Sequence, residues 1–494
     1  MSTSYTERAA KLSLPTQLFI DGKRVDAASG KTFANINPGT GQVLNHIAEG
    51  DAADVNIAVA SARAAFERGH WSNMAPKNRK KVLIRLADLM IEHQEELALL
   101  ETLDVGKPIG DSLAVDVPSS ANCMRWYGEA CDKIYDEVAP TGPDAFGTIT
   151  REAIGVVAAV VPWNFPLLMA CWKLGPALAA GNSVVLKPAE QTPMSVLRLA
   201  ELAVEAGLPE GVFNVVSGFG PTAGKALGMH MDVDCLAFTG SGEVGKLFLQ
   251  YSGQSNMKRV WLECGGKTPN IVFEDCKDLK KAAESAAIGI FYNQGEVCTA
   301  ASRLIVQDTI KDQFVEEVLK VAATLQPADP LDSDTRMGAM VEEKHMDRVL
   351  DYIAAGKAEG AKVLCGGERV LLNQGGYYIA PTVFDNVKNS MRIAQEEIFG
   401  PVLSTITFKD AEEAVAIAND SIYGLAACLW TADLDKAIKL SRRLRAGNMW
   451  VNCWDGGDMT MPFGGYKQSG NGRDKSLHAL EKYTEVKATW IDLS

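Results

Sequence analysis

Apolar positions recur along the chain in two rhythms. Residues 78–104, "NRKKVLIRLADLMIEHQEELALLETLD", place Val82, Leu83, Leu86, Leu89, Met90, Leu97 and Leu100 at helical spacing. That spacing predicts one long buried helix face, and the first 130 or so residues read as mainly helical. From Gly155 to Glu263 the rhythm shortens. The β-branched runs "GVVAAVV", "SVVLK", "GVFNVV", "CLAFT" and "RVWLE" alternate with helical stretches, which predicts βαβ units and a parallel sheet. A second alternation starts with "NIVFE" at Asn270 and runs through "RLIVQ" and "VLSTITF" to "MWVN" at Met449. The pattern therefore predicts two α/β lobes, with no internal repeat. The tail "KATWIDLS" alternates like a strand that pairs outside its own lobe.

Composition narrows this only a little. A chain of 494 residues exceeds the size of a single core, as two lobes require. A net charge of −13 argues against a nucleic-acid partner, whose phosphates need a basic surface. The most apolar run, "AIGVVAAVV" at 153–161, stops at Pro162 and is too short to cross a membrane. The first residues lack the basic start and apolar stretch of a signal peptide, so a cytoplasmic location is expected. The ten cysteines include no C-x-x-C, and no clustered Cys/His spacing marks a metal site, so no metal is expected.

Two glycine loops, read in three ways, compete for a nucleotide. "FTGSGEVGK" follows a strand, opens a helix and sets Gly240, Gly242 and Gly245 in the G-x-G-x-x-G spacing of a pyrophosphate loop. The same residues nearly form a P-loop, but Leu247 stands where a hydroxyl must reach magnesium. "GGKT" at 265–268 fails too, because Trp261 replaces the first P-loop glycine. A dinucleotide site needs an acid for the adenosine ribose. Two candidates stand at strand ends: Glu263, eighteen residues past Gly245, and Glu190 beside Lys187 in "VVLKPAEQTP". Spacing alone does not choose between them.

One cysteine stands out. Cys298 in "NQGEVCTAASR" follows a glycine and an acid, with Arg303 beyond it and no nearby histidine to activate it.

Together "PWNFP" (162–166), "KPAEQTP" (187–193), "FTGS" (238–241), "LECGGK" (262–267), "NQGEVC" (293–298), "EEIFGPV" (396–402) and "PFGGYKQSG" (462–470) resemble the aldehyde dehydrogenase superfamily, in its motif order and over nearly the whole chain. The resemblance implies an α/β fold of two parallel-sheet lobes plus a small β arm. Residues 1–133 and 154–265 would form a Rossmann-like NAD-binding domain and 266–468 a catalytic domain. Residues 134–153 and 469–494 would form an oligomerisation arm that makes the protein a dimer or tetramer. The implied reaction is NAD-dependent oxidation of an aldehyde to a carboxylic acid. Cys298 would be the nucleophile, passing through a thiohemiacetal and a thioester. Asn164 and the Cys298 backbone N–H would hold the oxyanion, and Glu263 would be the general base. Trp163, Lys187, Glu190, Gly240, Ser241, Glu397 and Phe399 would bind NAD, with Glu190 on the adenosine ribose. Relatives that pass the acyl group to CoA usually lack the base, and Glu263 argues against that outcome. Asp474 stands where many members carry glutamate, and Cys264 where a larger apolar residue is common.

The likeness is nearest to dehydrogenases acting on γ-glutamyl-γ-aminobutyraldehyde and 4-guanidinobutyraldehyde. It implies an ω-amino, guanidino or γ-glutamylamino aldehyde from polyamine or arginine breakdown. The alternatives are a broad aliphatic or a betaine-aldehyde-type specificity. Trp172, Trp454, Asp455, Asp458 and Phe463 would line the substrate funnel, where aromatic faces and carboxylates suit a cation. The two aspartates also suit turn-capping in a glycine-rich loop.

Overall fold

The computed structural model describes residues 4–494. Two seven-stranded sheets carry the fold. The first runs Arg259–Cys264, Cys235–Gly240, Val156–Val160, Ser183–Lys187, Phe213–Val215, Leu18–Ile20, Lys23–Val25. Its first five strands are parallel, and their unbroken apolar runs follow from helices covering both faces. The second runs Lys362–Cys365, Thr382–Asp385, Val402–Phe408, Arg303–Gln307, Pro269–Val272, Ala426–Trp430, Asn448–Val451, parallel except for its first strand. Every strand named from the sequence is present, and the fold is the expected pair of α/β layers.

Two local expectations change. The long helix is two helices, Pro76–Glu92 and Gln94–Val105, broken at His93 (φ −102°, ψ 22°). The first 130 residues also contain strands. Leu18–Ile20 and Lys23–Val25 close the edge of the first sheet, and Thr32–Asn37 pairs with Gln42–Ala48. These strands are short or exposed on one side, so they leave no apolar run to read.

The tail forms the strand Thr484–Asp492. It pairs antiparallel with Ala145–Ala153, from Thr484 opposite Ala153 to Asp492 opposite Ala145. With Glu137–Ala139 this makes a separate three-stranded sheet. Before reaching it, the chain returns from the second sheet to the first. Gly470 bridges to Glu263, Asp474 bridges to Phe463, and Tyr483 is buried in the first core. Among the described residues, no helix is long and apolar enough to cross a membrane.

Candidate active site

One large cavity lies between the C-terminal edge of the first sheet and the N-terminal edge of the second. From the first sheet come Trp163 and Asn164, past Val156–Val160; Gly240 and Ser241, at the end of Cys235–Gly240; and Glu263, at the end of Arg259–Cys264. From the second come Cys298, ahead of Arg303–Gln307, and Glu397 and Phe399, ahead of Val402–Phe408. Ligands gather at such strand ends because loops there can vary without disturbing the sheet.

Cys298 is presented by a strained turn. Asn293, Gln294 and Gly295 take successive left-handed angles, φ 46°, 56° and 74°. Side chains rarely tolerate this conformation, and the surroundings over-determine it. Asn293 Nδ2 donates to the carbonyls of Asn164 and Glu296, both at 3.2 Å. Gln294 Oε1 accepts from Gly338 N at 2.9 Å, and Glu296 Oε1 accepts from Val341 N at 3.1 Å. Asn164 is buried, and its Nδ2 donates to the Glu296 carbonyl at 2.8 Å. An amide carries two N–H bonds, so one stays free toward the cavity. Burial, then the carboxylates of Glu397, Asp455 and Glu263, push the Cys298 thiol above its ordinary range. The thiol therefore rests protonated, and its proton needs an acceptor when it attacks.

Glu263 can accept it. Both of its carboxyl oxygens are buried without a hydrogen-bond partner. Burial first, then Asp474, push this carboxyl well above the ordinary range, while Lys173, Lys482 and Arg473 act in the opposite sense. Asp474 lies fully buried between the ammonium groups of Lys173 and Lys482, each ion-paired to one of its oxygens. Burial alone would raise Asp474, yet the two lysines hold it below its ordinary range. Lys173 and Lys482 were not legible as site residues: one lies in mid-helix, the other near the tail.

The cofactor end has its own geometry. Ser241 caps the helix Gly242–Gln254, its Oγ accepting from Val244 N at 3.3 Å, and the helix N-terminus opens on the cavity. Thr239 Oγ1, beside this loop, is buried without a partner. Glu397 Oε1 accepts from Gly266 N at 3.0 Å, and a Cβ on Gly265 would lie only 1.9 Å from Glu397 Oε2. Burial pushes the Glu397 carboxyl up to about 7. Phe399 takes φ 60°; its ring meets Trp163 edge-on at 5.2 Å, and its carbonyl accepts from His345 Nε2 at 2.7 Å. His345 and Arg348 join this wall from the helix Glu343–Ala358, a contribution that no motif announced. Lys187 and Glu190 stand at the same sheet edge on the neighbouring strand, outside the main cavity wall, with Lys187 Nζ 3.4 Å from Glu190 Oε2. Anion-binding helix terminus, unpartnered hydroxyl and edge carboxylate together fit a dinucleotide.

At the substrate end, Trp172 and Phe463 line the cavity with ring centres 5.0 Å apart, joined by Met169. Trp454, Asp455 and Asp458 are not in its wall. Trp454 turns away, its Nε1 donating to the Thr299 carbonyl at 3.1 Å, and so braces the loop behind Cys298. Asp458 is exposed, and its carboxylate accepts from the backbone and hydroxyl of Thr460 at 2.8 and 2.5 Å. That is the turn-capping role. Arg303 serves structure: its guanidinium binds the carbonyls of Lys267, Ile417 and Ala418.

A thiol, an amide donor and an unpartnered carboxyl around one cavity, beside a dinucleotide cradle, are the groups that an oxidoreductase working through a covalent cysteine adduct would need. The chain belongs to the aldehyde dehydrogenase family, whose model matches residues 25–489. It is 53% identical over 489 residues to the NADP/NAD-dependent aldehyde dehydrogenase PuuC of Escherichia coli K12, covering 99% of this chain and 98% of that protein. Among solved structures it is similar to an indole-3-acetaldehyde dehydrogenase in complex with NAD+, with a TM-score of 0.99, 58% identity and full coverage of both chains. It is also similar to the γ-glutamyl-γ-aminobutyraldehyde dehydrogenase of Burkholderia cenocepacia J2315, with a TM-score of 0.98, 58% identity and 99% of each chain covered.

Proposed function

We propose that the protein oxidises an aldehyde to a carboxylic acid with NAD, and that its aldehyde carries an amino, guanidino or γ-glutamylamino group. The observation that carries the reaction is the meeting of Cys298, Asn164 and Glu263 at one cavity. Cys298 attacks the carbonyl carbon, and Glu263 takes the thiol proton. The free N–H of Asn164 and the backbone N–H of Cys298 hold the oxyanion of the thiohemiacetal. Bound at Trp163, Ser241, Glu397 and Phe399, NAD would supply the acceptor for the hydride that leaves the aldehyde carbon. The resulting thioester stays on Cys298 until Glu263, having passed the thiol proton to solvent, deprotonates a water that hydrolyses it.

Trp163, Gly240, Ser241, Glu397 and Phe399 would hold NAD in the cavity, with Lys187 and Glu190 on its adenosine ribose. The corresponding division of labour is NAD binding by 1–133 and 154–265, catalysis by 266–468, and assembly by 134–153 and 469–494. Assembly as a dimer or tetramer is supported by the arm, where Trp490 is 68% exposed with Val486 and Ile491 beside it. Ten free cysteines support a reducing, cytoplasmic setting. The similarity to a γ-glutamyl-γ-aminobutyraldehyde dehydrogenase supports the substrate class. The aromatic wall of Trp172 and Phe463 favours a second reading, a broader specificity that includes apolar aldehydes. NADH formation with 4-aminobutanal, 4-guanidinobutanal and pentanal tests both: equal kcat/KM for all three would leave only the broader one.

A further inference from the structure

Behind the loop that carries Asn164 lies a buried ammonium. Lys107 is 1% exposed and Asp116 0%. Lys107 Nζ donates to the two carboxylate oxygens of Asp116 at 3.1 and 3.0 Å. It also stands 4.0 Å from the centre of the ring of Phe165, the residue after Asn164. An ammonium over a desolvated aromatic face is attracted in a set direction. Asp116 closes the π-helical turn Ser112–Asp116, a widened turn of the kind that recurs at functional sites. An ion pair this deep gains little stability over apolar side chains of the same volume, so stability does not account for it.

Both ends of Lys107 are fixed. Its backbone follows Gly106, which closes the helix Gln94–Val105 at φ 84° and whose carbonyl accepts from Ala339 N at 2.9 Å. A Cβ on Gly106 would lie 2.7 Å from the Ala339 carbonyl oxygen, so glycine is needed for this approach. The flanking residues hold the turn that presents Cys298, Gly338 N on Gln294 and Val341 N on Glu296. The root of Lys107 and the turn of the thiol thus rest on one support, residues 338–341. At the tip, the Phe165 ring that meets the ammonium also stacks on Tyr292, with centres 6.3 Å apart and planes at 26°, and Tyr292 leads into the same turn. Phe165 opens the helix Pro166–Ala180 and has no side chain to cap it. Glu101 supplies that cap, its Oε1 accepting from Leu167 N at 2.9 Å. Residues 101–107 therefore grip the chain just past Asn164 at two points.

Resting on the aldehyde oxidation set out above, we propose that Lys107 is a positioning residue: braced by Asp116, its ammonium holds Phe165 so that the Asn164 amide and the Cys298 backbone N–H converge on one oxygen. Lys107 itself touches neither aldehyde nor cofactor. It acts through the ring beside the donor, and its support is the one that carries the nucleophile.

Removing Lys107 alone would leave the Asp116 carboxylate buried and unpaired, which destabilises the fold whatever its role. The pair is therefore replaced together, Lys107→Met with Asp116→Leu, and NADH formation is followed with 4-aminobutanal and with pentanal. The kcat and the first-turnover rate should fall roughly tenfold to a hundredfold, since a misplacement of about 1 Å can cost on the order of 10²-fold. The KM for NAD should not move. In an Asn164→Ala background the same paired change should lower kcat no further, because the group it positions is gone. A merely structural pair would lower kcat alike in both backgrounds. A second route leaves the buried charges untouched: the Phe165 ring is exchanged for its mono-, di- and trifluorinated forms, which keep its shape and weaken the attraction of its face for a cation. Here kcat should fall with each fluorine, and stay level in the Asn164→Ala background. This series decides the role even where the paired variant does not fold. An unchanged kcat in either route, or losses that are equal with and without Asn164, overturns the role while leaving aldehyde oxidation standing. No NADH formation by the wild-type protein with either aldehyde overturns aldehyde oxidation, and this role with it.

Discussion

Asn164 Nδ2 and the Glu296 carbonyl are joined by a 2.8 Å hydrogen bond, two residues ahead of Cys298. The bond couples the loop after the strand Val156–Val160 to the turn that presents the thiol. It uses one amide hydrogen and fixes the direction of the other. Replacing Asn164 by Ala should lower kcat roughly 10²–10³-fold, the usual loss for one oxyanion donor, with NAD affinity retained. Asn164→Asp should be worse, because a carboxylate would face the Glu296 carbonyl acceptor-to-acceptor. A kcat within threefold of wild type in Asn164→Ala would remove Asn164 from the oxyanion site.

Cys298→Ala should abolish turnover and leave NAD binding intact. Glu263→Gln should lower turnover by roughly 10²–10⁴-fold, the range for a general base. Because burial and Asp474 raise the Glu263 carboxyl above its ordinary 4.5, the base protonates as pH falls through that raised value. The acid limb of the kcat profile should therefore lie above pH 4.5, and Glu263→Gln should erase it. A limb that survives unchanged assigns the titration elsewhere.

Glu190 should favour NAD over NADP, since a carboxylate accepts from a ribose 2′-hydroxyl and repels a 2′-phosphate. The Lys187 ammonium 3.4 Å away softens that repulsion. Glu190→Gln should narrow the ratio of kcat/KM between the two cofactors. Equal use of both by the wild-type protein would refute the assignment.

His345 should make the fold acid-sensitive. Burial lowers its pKa from 6.5 to about 4 while its Nε2 N–H serves Phe399. Below pH 6.5 the unfolded chain takes up the proton first, so stability falls as pH drops toward the folded value. The loss reaches roughly 3 kcal/mol. His345→Gln, which can keep a side-chain N–H donor, should show a flatter decline in Tm between pH 6.5 and 4. Parallel curves would show that His345 does not contribute.

Trp490→Glu places a charge on the exposed apolar strand and should lower the assembled mass seen by light scattering. An assembly that persists unchanged, or a wild-type protein that is only a 53.2 kDa species, would rule out this strand as the contact.

What the sequence made legible follows from what a local pattern can encode. Runs such as Val156–Val160 announce buried parallel strands because both faces must be apolar. The edge strands Leu18–Ile20 and Lys23–Val25 are three residues each and carry no such run. Cys298, Glu263 and Asn164 stood in specific motifs and meet at one cavity. The partners of Asp474 did not stand out: Lys173 is 301 residues away, and only packing brings them together. Trp454 and Asp458 failed as cavity residues because their polar atoms found nearer partners, Thr299 and Thr460.

Residues 470–484 run from the floor of the site to the arm as one uninterrupted strap, with Asp474 and Lys482 beneath Glu263 and Thr484 opening the arm strand. The candidate site and the arm proposed for assembly thus hang on the same short length of backbone. With the arm as the contact, a single proteolytic scission there would release both together, so ageing preparations should lose catalysis and quaternary structure in step, from one nick near the carboxyl end.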